Sequence, residues 1–385
     1  MINLIFDGNY IMHRSMYVYP RQSRGPMLNT EEDRRAFVRK VVMDMAFAIR
    51  KFKVVGKVIV TWDDYSWRKM VEIEENEGYK SNRVKDESKV DWTEFGNIQD
   101  DLTEILEKYN FIISKIKHAE GDDLMFLWSH ELTERGEDIG IISGDRDITQ
   151  CVHRNDPNFC FVYDPKSTKR MFFANKGLRD HLAGENGEVS LFDMSFMSNS
   201  NDEVLELIAD AQYNEVDPVD VVWGKTLAGD GGDGVPPVWS WKKPHGDKIA
   251  TFSVTQKKAL LIKQDIIAKY GSFELDGCEQ YADVVVAGIK KYHKEIADFG
   301  LVEERIKRNL ILVWLDHNVI PQQVQDDFKK HFEIYKDFGQ PNPPAFNHHS
   351  LLEGTKYEGT ASVQSDFFAK ANKATKQTVK GNKLF

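Results

Sequence analysis

Cysteine is nearly missing from this 385-residue chain: Cys151, Cys160 and Cys278 are the whole complement, and none forms a CxxC pair. An odd count at such spacings argues against a disulfide framework and a thiolate zinc site, and implies a reducing compartment. Long apolar runs are missing too. None approaches the ~18 residues of a membrane span, and Met1-Ile2-Asn3-Leu4-Ile5-Phe6-Asp7 carries no basic stretch ahead of a long apolar one, so a cytoplasmic protein is expected. Positive charge is in deficit, with 51 Lys and Arg against 61 Asp and Glu, a net charge of −10. Spread evenly, that deficit would argue against a nucleic-acid partner. What is present, 41% hydrophobic and 29% charged residues, is the composition of a folded chain with room for two domains.

Short β-branched runs alternate with amphipathic helical patterns through the first half. Ile2–Phe6, Val58–Trp62, Phe111–Ile113, Ile139–Ser143 and Phe159–Tyr163 read as strands, and Glu31–Phe52, Asn97–Tyr109 and Asp122–Arg135 as helices. Alternation of this kind implies an α/β fold, a mostly parallel twisted sheet with flanking helices. Asp64–Val90 is charged and aperiodic, an excursion above the sheet. After about residue 170 the strands are expected to give out. Ser200–Gln212, Gln256–Tyr270, Tyr281–Ala297 and Glu303–Trp314 read as helices, with a turn-rich Ala228–Pro244 among them. From Gln340 the chain turns Pro-rich and then Lys-rich, six lysines against three acids, and is read as a mobile basic tail.

The acids fall in a pattern. Asp7 follows the first strand and Asp63 the second. Glu120, Asp122 and Asp123 follow the third, and Asp145 and Asp147 the fourth. In a parallel sheet all strand C-termini share one edge, where ligands bind. Like charges gathered there push one another toward protonation, and oxygen-only ligands without a His or Cys cluster favour Mg²⁺, with Mn²⁺ as substitute, over zinc. Each acid alone is an ordinary turn or cap residue; four strand ends doing so together is not. Asp230 and Asp233, in Gly229-Asp230-Gly231-Gly232-Asp233-Gly234, read either as a Gly-Asp turn or as carboxylates delivered from the second half. Together these nine acids hold nearly the whole negative excess, so the rest of the chain is close to neutral and a nucleic-acid partner stays open. Arg68, Tyr79, Lys80 and Arg83 lie in the excursion, and Lys80 and Arg83 are spaced to share a helix face and clamp a phosphate.

With these residues in hand, the chain resembles the 5′ nucleases of the flap endonuclease family, and within it the RNase H branch of the T-even phages and their relatives. The likeness runs over residues 1–337. DGNYIMHR carries Asp7, and TWDDYSWRK carries Asp63 and Arg68. Tyr79-Lys80-x-x-Arg83 is similar to the phosphate-gripping motif. HAEGDDLMFLW and ISGDRDITQ carry the acids from Glu120 to Asp147, AGDGGDGVPPV carries Asp230 and Asp233, and RNLILVWLDHNVIPQQV carries Asn309 and Asp316. Bacterial and cellular members continue past the Gly-Asp loop with a Gly-Ile-Gly-type hairpin; here the sequence is Trp239-Ser240-Trp241-Lys242-Lys243-Pro244-His245-Gly246-Asp247-Lys248.

The resemblance implies a PIN-like nuclease domain over 1–173 and a helix-turn-helix-like DNA-binding domain over 216–338; residues 174–215 read as an insertion, and the tail over 339–385 lies outside the likeness. It implies two Mg²⁺ ions. Asp7, Glu120, Asp122 and Asp145 are assigned to the first, with Asp63 acting through water, and Asp147, Asp233 and less firmly Asp230 to the second. Asp123 is read as a ligand or as a residue that orients ligands. Lys80 and Arg83 would steer the scissile phosphate, Tyr79 would stack on the terminal base, and Lys242, Lys243 and Lys248 would contact the duplex. Expected substrates are RNA·DNA hybrid, duplex DNA and flaps, cut from the 5′ end. Expected partners are a single-stranded-DNA-binding protein and a sliding clamp, the latter through Gln364-Ser365-Asp366-Phe367-Phe368. A phage-encoded protein would work in the host cytoplasm. The competing readings are a catalytically silent junction-binding scaffold and a PIN-type ribonuclease. A haloacid-dehalogenase phosphatase is disfavoured because Asn9 stands where its second Asp is required.

Overall fold

The first strand, β1 (Ile2–Asp7), is buried along its whole length and apolar at four of its six positions, which suits a central strand covered on both faces. In the computed structural model it pairs in parallel with β2 (Val55–Thr61) on one side and β4 (Asp138–Ile142) on the other. The model describes residues 2–19, 25–51, 55–73, 78–83, 85–155, 157–165, 170–183, 204–205, 208–245, 248–291, 298–338 and 351–358. Beyond β2 lies β3 (Ile112–Ser114), and beyond β4 lies β6 (Asn158–Asp164), both parallel to their neighbours. With β7 (Met171–Ala174) and β8 (Gln212–Glu215), the sheet order is β3-β2-β1-β4-β6-β7-β8, and the short β5 (His153–Asn155) lies antiparallel to β6. Helices α1 (Gly8–Val18), α2 (Glu31–Lys51), α3 (Trp92–Lys108) and α4 (Gly121–Glu134) complete the nuclease half. The expected α/β architecture with a mostly parallel sheet is what forms.

Strands do not stop near residue 170. β7 (Met171–Ala174) returns antiparallel to β6, and β8 (Gln212–Glu215) adds a parallel edge to β7. Residues 174–215 therefore contribute the end of β7, a short α5 (Leu178–Ala183) and this edge strand. The helix expected over Ser200–Gln212 falls mostly outside the described residues, and Gln212 begins β8.

The C-terminal half packs α6 (Pro218–Ala228), α7 (Gln256–Tyr270), α8 (Ala282–Lys290) and α9 (Phe299–Val313) around Trp223, Leu227, Ile262, Val285 and Ile306. Here too a correction is due. The segment expected to lie in a helix-turn-helix contact is a β-hairpin, β9 (Ser240–His245) with β10 (Lys248–Ser253). Pro244 inside the first arm hides the strand pattern, although Pro244 faces Ile249 in the ladder. The last helix, α10 (Gln322–Tyr335), leaves that core and sets Phe328 and Phe332 against Trp128 of α4. Full burial of each such ring contributes about 2–3 kcal/mol, so the helical half is tied back to the nuclease half by its own C-terminus.

The tail is not uniformly loose. Leu351, Leu352 and Tyr357 are buried in the cluster that holds α2 and α3. The Tyr357 hydroxyl donates to Asp101, Lys356 Nζ lies 2.7 Å from Asp101, and Arg35 Nε donates to the Lys356 carbonyl at 3.1 Å. Three bulky residues in a polar stretch suffice for this docking. The Gln364–Phe368 segment lies outside the described residues. No helix among the described residues is long and apolar enough to cross a membrane.

Candidate active site

Each acid-bearing segment reaches the C-terminal edge of the sheet through a local device. Asp7 ends β1 and caps α1, accepting the Tyr10 amide at 2.8 Å on one oxygen and the Ser143 hydroxyl at 2.8 Å on the other. Asp63, two residues past β2, accepts the Gly121 amide at 2.6 Å. The approach is close: a Cβ on residue 121 would stand 3.0 Å from the carboxylate oxygen, so Asp63 would have to shift by a few tenths of an ångström. Glu120 and Asp123 form a reciprocal capping box at the start of α4, which fixes where Glu120 and Asp122 project. Past β4, the Asp145 amide donates to Ser143 Oγ and Asp145 accepts from the Asp147 amide, both at 3.0 Å.

The fifth segment comes from the helical half. Gly229 at φ 73° turns the chain out of α6, and Asp230 and Val235 bond each other's backbone at 2.8 Å to close a tight loop. A Cβ at Gly229 would meet the Val235 carbonyl at 2.5 Å. Asn309 on α9 holds this loop from behind, its buried amide donating to the carbonyls of Thr226 at 2.9 Å and Pro236 at 2.7 Å. Gln150 fastens the C-terminal end of α9 to the β4 side, donating to the Val313 carbonyl at 2.9 Å and accepting the Leu315 amide at 3.1 Å. Asp316 caps the turn after α9 by accepting the Asn318 amide at 2.9 Å.

Between the Asp145–Asp147 segment, Arg83 and the Asp230–Asp233 loop lies an open cleft of about 370 Å³, lined also by Tyr10 and Lys225. The electrostatics of the acids around it are uneven. Burial, with repulsion from Asp63 and Asp145 outlasting two hydrogen bonds, pushes the Asp7 carboxyl up to about 7. Asp122 is raised well above the ordinary carboxylate value, first by burial and then by Asp145, against a partial relief from Lys80. Asp63 is raised by loss of hydration and by Glu120, although by surface area the residue is exposed, so solvent weakens this shift relative to the other two. Glu120 goes the other way. Burial opposes its charge, yet Lys80 and Arg68 outweigh it and hold the carboxyl below its ordinary value.

Lys80 ammonium donates to Glu120 and lies 3.8 Å from Asp233, and Arg83 pairs with Asp233. These two cations sit on consecutive turns rather than on a helix, with Lys80 at φ 57° and its amide donating to the Asp233 carbonyl at 2.8 Å. They still converge on the cleft.

Several expected roles change. Arg68 is 1% exposed and locked against Asp123 and Glu120, with Nη2 donating to the Trp314 carbonyl at 3.4 Å, so it is out of a substrate's reach. Asp123 is fully buried, its carboxylate engaged by Arg68, Trp67 Nε1 at 3.0 Å and the Glu120 amide at 3.1 Å, which makes it the anchor of that arginine rather than an open ligand. Tyr79 is 5% exposed; its hydroxyl lies 3.2 Å from Glu120 and 2.9 Å from Asp233, and its ring sits in the helical core, where no base can stack. Lys242 is exposed on the β9–β10 hairpin, and the side chains of Lys243 and Lys248 lie outside the described residues.

Sequence reasoning missed Lys225. This lysine, 8% exposed on α6, donates to both Asp147 and Asp230. Its position five residues before Asp230, on the inner face of an apolar helix, was the available signal. Among the described residues no group of three or more acids, histidines or cysteines is drawn together tightly enough to hold a metal as it stands; lysine ammonium groups stand between several of the carboxylates.

Residues 3–182 match the family model described as the 5′-3′ exonuclease N-terminal, resolvase-like domain. A sequence search of characterised proteins finds no match. Among solved structures, the bacteriophage T5 D15 flap endonuclease in a pseudo-enzyme-product complex with DNA and metal ions superposes with a TM-score of 0.50 and 19% identity, covering 87% of this chain and 99% of that one. The T5 D15 protein co-crystallised with metal ions gives a TM-score of 0.49 and 18% identity over 87% and 100% of the two chains. Likeness at this level is one of fold. The family match covers the strand ends that carry Asp7, Asp63, Glu120, Asp122, Asp145 and Asp147, and residues 3–182 accordingly belong to the 5′ nuclease family as its N-terminal, resolvase-like domain.

Proposed function

We propose that this chain is a metal-dependent 5′ nuclease that hydrolyses phosphodiesters at the 5′ ends of RNA·DNA or DNA duplexes and at flaps. The observation that carries the reading is the group of acids left without a matching cation on the sheet edge. Asp7, raised to about 7, and Asp122, raised further by Asp145, are expensive to keep ionised at neutral pH, and the expense vanishes when a hard cation enters among them. The donors are oxygen throughout, which favours Mg²⁺, with Mn²⁺ as substitute. Asp7, Asp63, Asp122 and Asp145 would hold one ion, and Glu120, Asp147, Asp230 and Asp233 would contribute to a second once Lys80 and Lys225 swing aside. Bound there, the ions supply a nucleophile at neutral pH and charge stabilisation at the leaving oxygen.

The chain's own residues do the rest. Lys80 and Arg83 offer two positive charges to the scissile phosphate, and Lys225 a third. Burial opposes the charge of Lys80, but Glu120 and Asp233 hold its ammonium above its ordinary value, so it stays cationic at working pH. Arg68 and Asp123 fix the orientation of Glu120. Lys242 and its hairpin would meet duplex backbone, by charge alone. RNase H-like primer removal of the phage type belongs to this proposal, as does a replication role alongside a single-stranded-DNA-binding protein and a sliding clamp.

The test uses 5′-labelled and 3′-labelled RNA·DNA duplexes and a 5′-flap, each with Mg²⁺, with Mn²⁺ and with EDTA, beside Asp122→Asn. Short 5′-derived products that need the metal and vanish in the variant are expected. Intact substrate in every metal, in a folded protein that still binds it, would sink the nuclease reading in favour of a binding scaffold.

A further inference from the structure

Tyr10 lines the cleft beside Asp145, and its contacts span three neighbouring strand ends. Its amide donates to Asp7 at the end of β1, and its hydroxyl donates to Asp164 Oδ1 at 2.9 Å at the end of β6. Between those two strands lies β4, which ends at Ile142 and runs on into Ser143, Gly144 and Asp145. We propose that Tyr10 is a positioning residue that fixes the gap between Asp7 and Asp145, and through it the affinity of the sheet edge for a hard divalent cation; the assignment rests on the metal-site reading above.

The side chain is anchored at both ends and seated in the middle. A Cβ at Gly144 would lie 2.4 Å from the Tyr10 hydroxyl oxygen and 2.5 Å from its ring carbons, so the phenol rests directly on that backbone. Gly144 lies outside the left-handed region, so the phenol rather than the backbone conformation demands a glycine there. The turn under the phenol carries Asp145. Ser143 Oγ donates to Asp7 at 2.8 Å and accepts the Asp145 amide at 3.0 Å, while the Ser143 amide donates to the Tyr163 carbonyl of β6 at 3.2 Å. Asp7 and Asp145 are thus tied through one serine, and Tyr10 closes over the residue that follows it. One turn further along α1, Arg14 Nη2 donates to the Pro165 carbonyl at 3.1 Å, and Arg14 pairs with Asp44 of α2 at 3.4 Å, which keeps α1 against the end of β6. Asp164 is fully buried and commits Oδ1 to Tyr10 rather than to the cleft. Groups that hold metal ligands in place from behind typically change metal affinity by about 10–100-fold when they are lost.

The experiment titrates Mn²⁺ into the metal-free full chain, reading the free ion by electron paramagnetic resonance and then displacing it with Mg²⁺. Tyr10→Phe, which removes the hydroxyl and keeps the ring, should weaken ion binding by about 10-fold, and Tyr10→Leu by up to about 100-fold. In flap cleavage the Mg²⁺ concentration for half-maximal rate should rise by the same factor, and the rate at saturating Mg²⁺ should fall by less. Gly144→Ala should weaken ion binding in the parent but add little in Tyr10→Leu, where the phenol it collides with is gone. A lowered melting temperature with unchanged ion affinity in Tyr10→Phe and Tyr10→Leu would make Tyr10 a packing residue and overturn the assignment alone. Additive losses from Gly144→Ala and Tyr10→Leu would overturn it too. Should Tyr10→Leu not fold, Tyr10→Phe and Gly144→Ala decide by the same readings. Failure of the parent to bind Mn²⁺ would overturn the metal-site reading and this assignment with it.

Discussion

At the sheet side of the cleft, Asp7 and Asp122 have no ion pair among the described residues, and both carboxyls are pushed up by burial and by neighbouring acids. Facing the excursion and α6, Glu120 and Asp147 of the same edge and Asp230 and Asp233 of the helical half each hold a lysine or arginine. The same residue type thus occupies two electrostatic situations a few residues apart. The difference follows from where the cations are placed: Lys80 and Lys225 approach from the excursion and from α6 and pair with Glu120, Asp147 and Asp230 rather than with Asp7 or Asp122. One side is left short of positive charge and stands ready for a hard cation. The other is closed by the protein's own cations, which must move or act on substrate directly.

Removing a carboxylate on the open side should give the largest effect. Asp122→Asn is expected to drop cleavage below detection in the end-labelled assay while leaving flap affinity intact. It should also raise the melting temperature of the metal-free protein at pH 8, because an amide of the same shape removes a buried repulsion. A lowered melting temperature would break the comparison. Next in size is Lys80→Ala, which should slow single-turnover cleavage by ~10²–10³ if its ammonium stabilises transition-state charge. An unchanged rate would confine Lys80 to neutralising Glu120.

Lys225→Met tests the closed side by opening it. Leaving Asp147 and Asp230 without their shared cation should cost about 3 kcal/mol of stability, the low end for a broken buried ion pair because both acids keep some solvent contact. Mg²⁺ should then raise the melting temperature of the variant more than that of the parent. Equal Mg²⁺ shifts would mean that the two sides do not differ in the way described.

Stability against pH probes the open side without mutation. The folded Asp7 carboxyl sits at about 7 against an ordinary 3.8, so the folded state binds more protons than the unfolded chain between those values. Metal-free protein should therefore lose stability as pH rises from about 4 to 7, by a few kcal/mol for this group, with Asp122 acting in the same direction. Mg²⁺ should flatten the profile. Urea titrations at pH 5 and pH 8, with and without the ion, would show it, and a metal-free protein more stable at pH 8 would contradict the shift.

Most of the fold was legible because its main elements carry strong periods. β1, β4, β6, α2 and α7 lie where apolar spacing puts them, and strand ends locate the acids. α1 was overlooked because its inward face is Gly8, Ile11, Met12, Ser15 and Met16, a helical spacing diluted by two small residues. The β9–β10 hairpin was masked by Pro244, and β7 and β8 are four-residue edges with little pattern to read. What spacing could not convey is which acid meets which cation. Arg68 reaches Asp123 across 55 residues within the nuclease half and Lys225 reaches Asp147 across 78, and such pairings exist only after the chain has folded, the second only after the two halves have docked. Arg68 and Tyr79 looked like substrate contacts for the same reason: a motif reports residue types, while burial decides which of them can touch a ligand.

Tyr79 offers the finest test of that distinction. Its phenol hydrogen is shared between Glu120 and Asp233, joining the two acids that Lys80 also bridges, and burial followed by those two carboxylates keeps the phenol protonated. Tyr79→Phe keeps the ring in the helical core and removes only the hydroxyl, so stability should fall by about 1.5–3 kcal/mol, the usual worth of a bond to a charged acceptor. Cleavage should change little, because Lys80 and Arg83 still hold Asp233. If Tyr79 instead served as a base platform, the phenylalanine would preserve stability and stacking alike. A fall in melting temperature with the rate nearly unchanged therefore places Tyr79 among the supports of the closed side, and an unchanged melting temperature removes it from them.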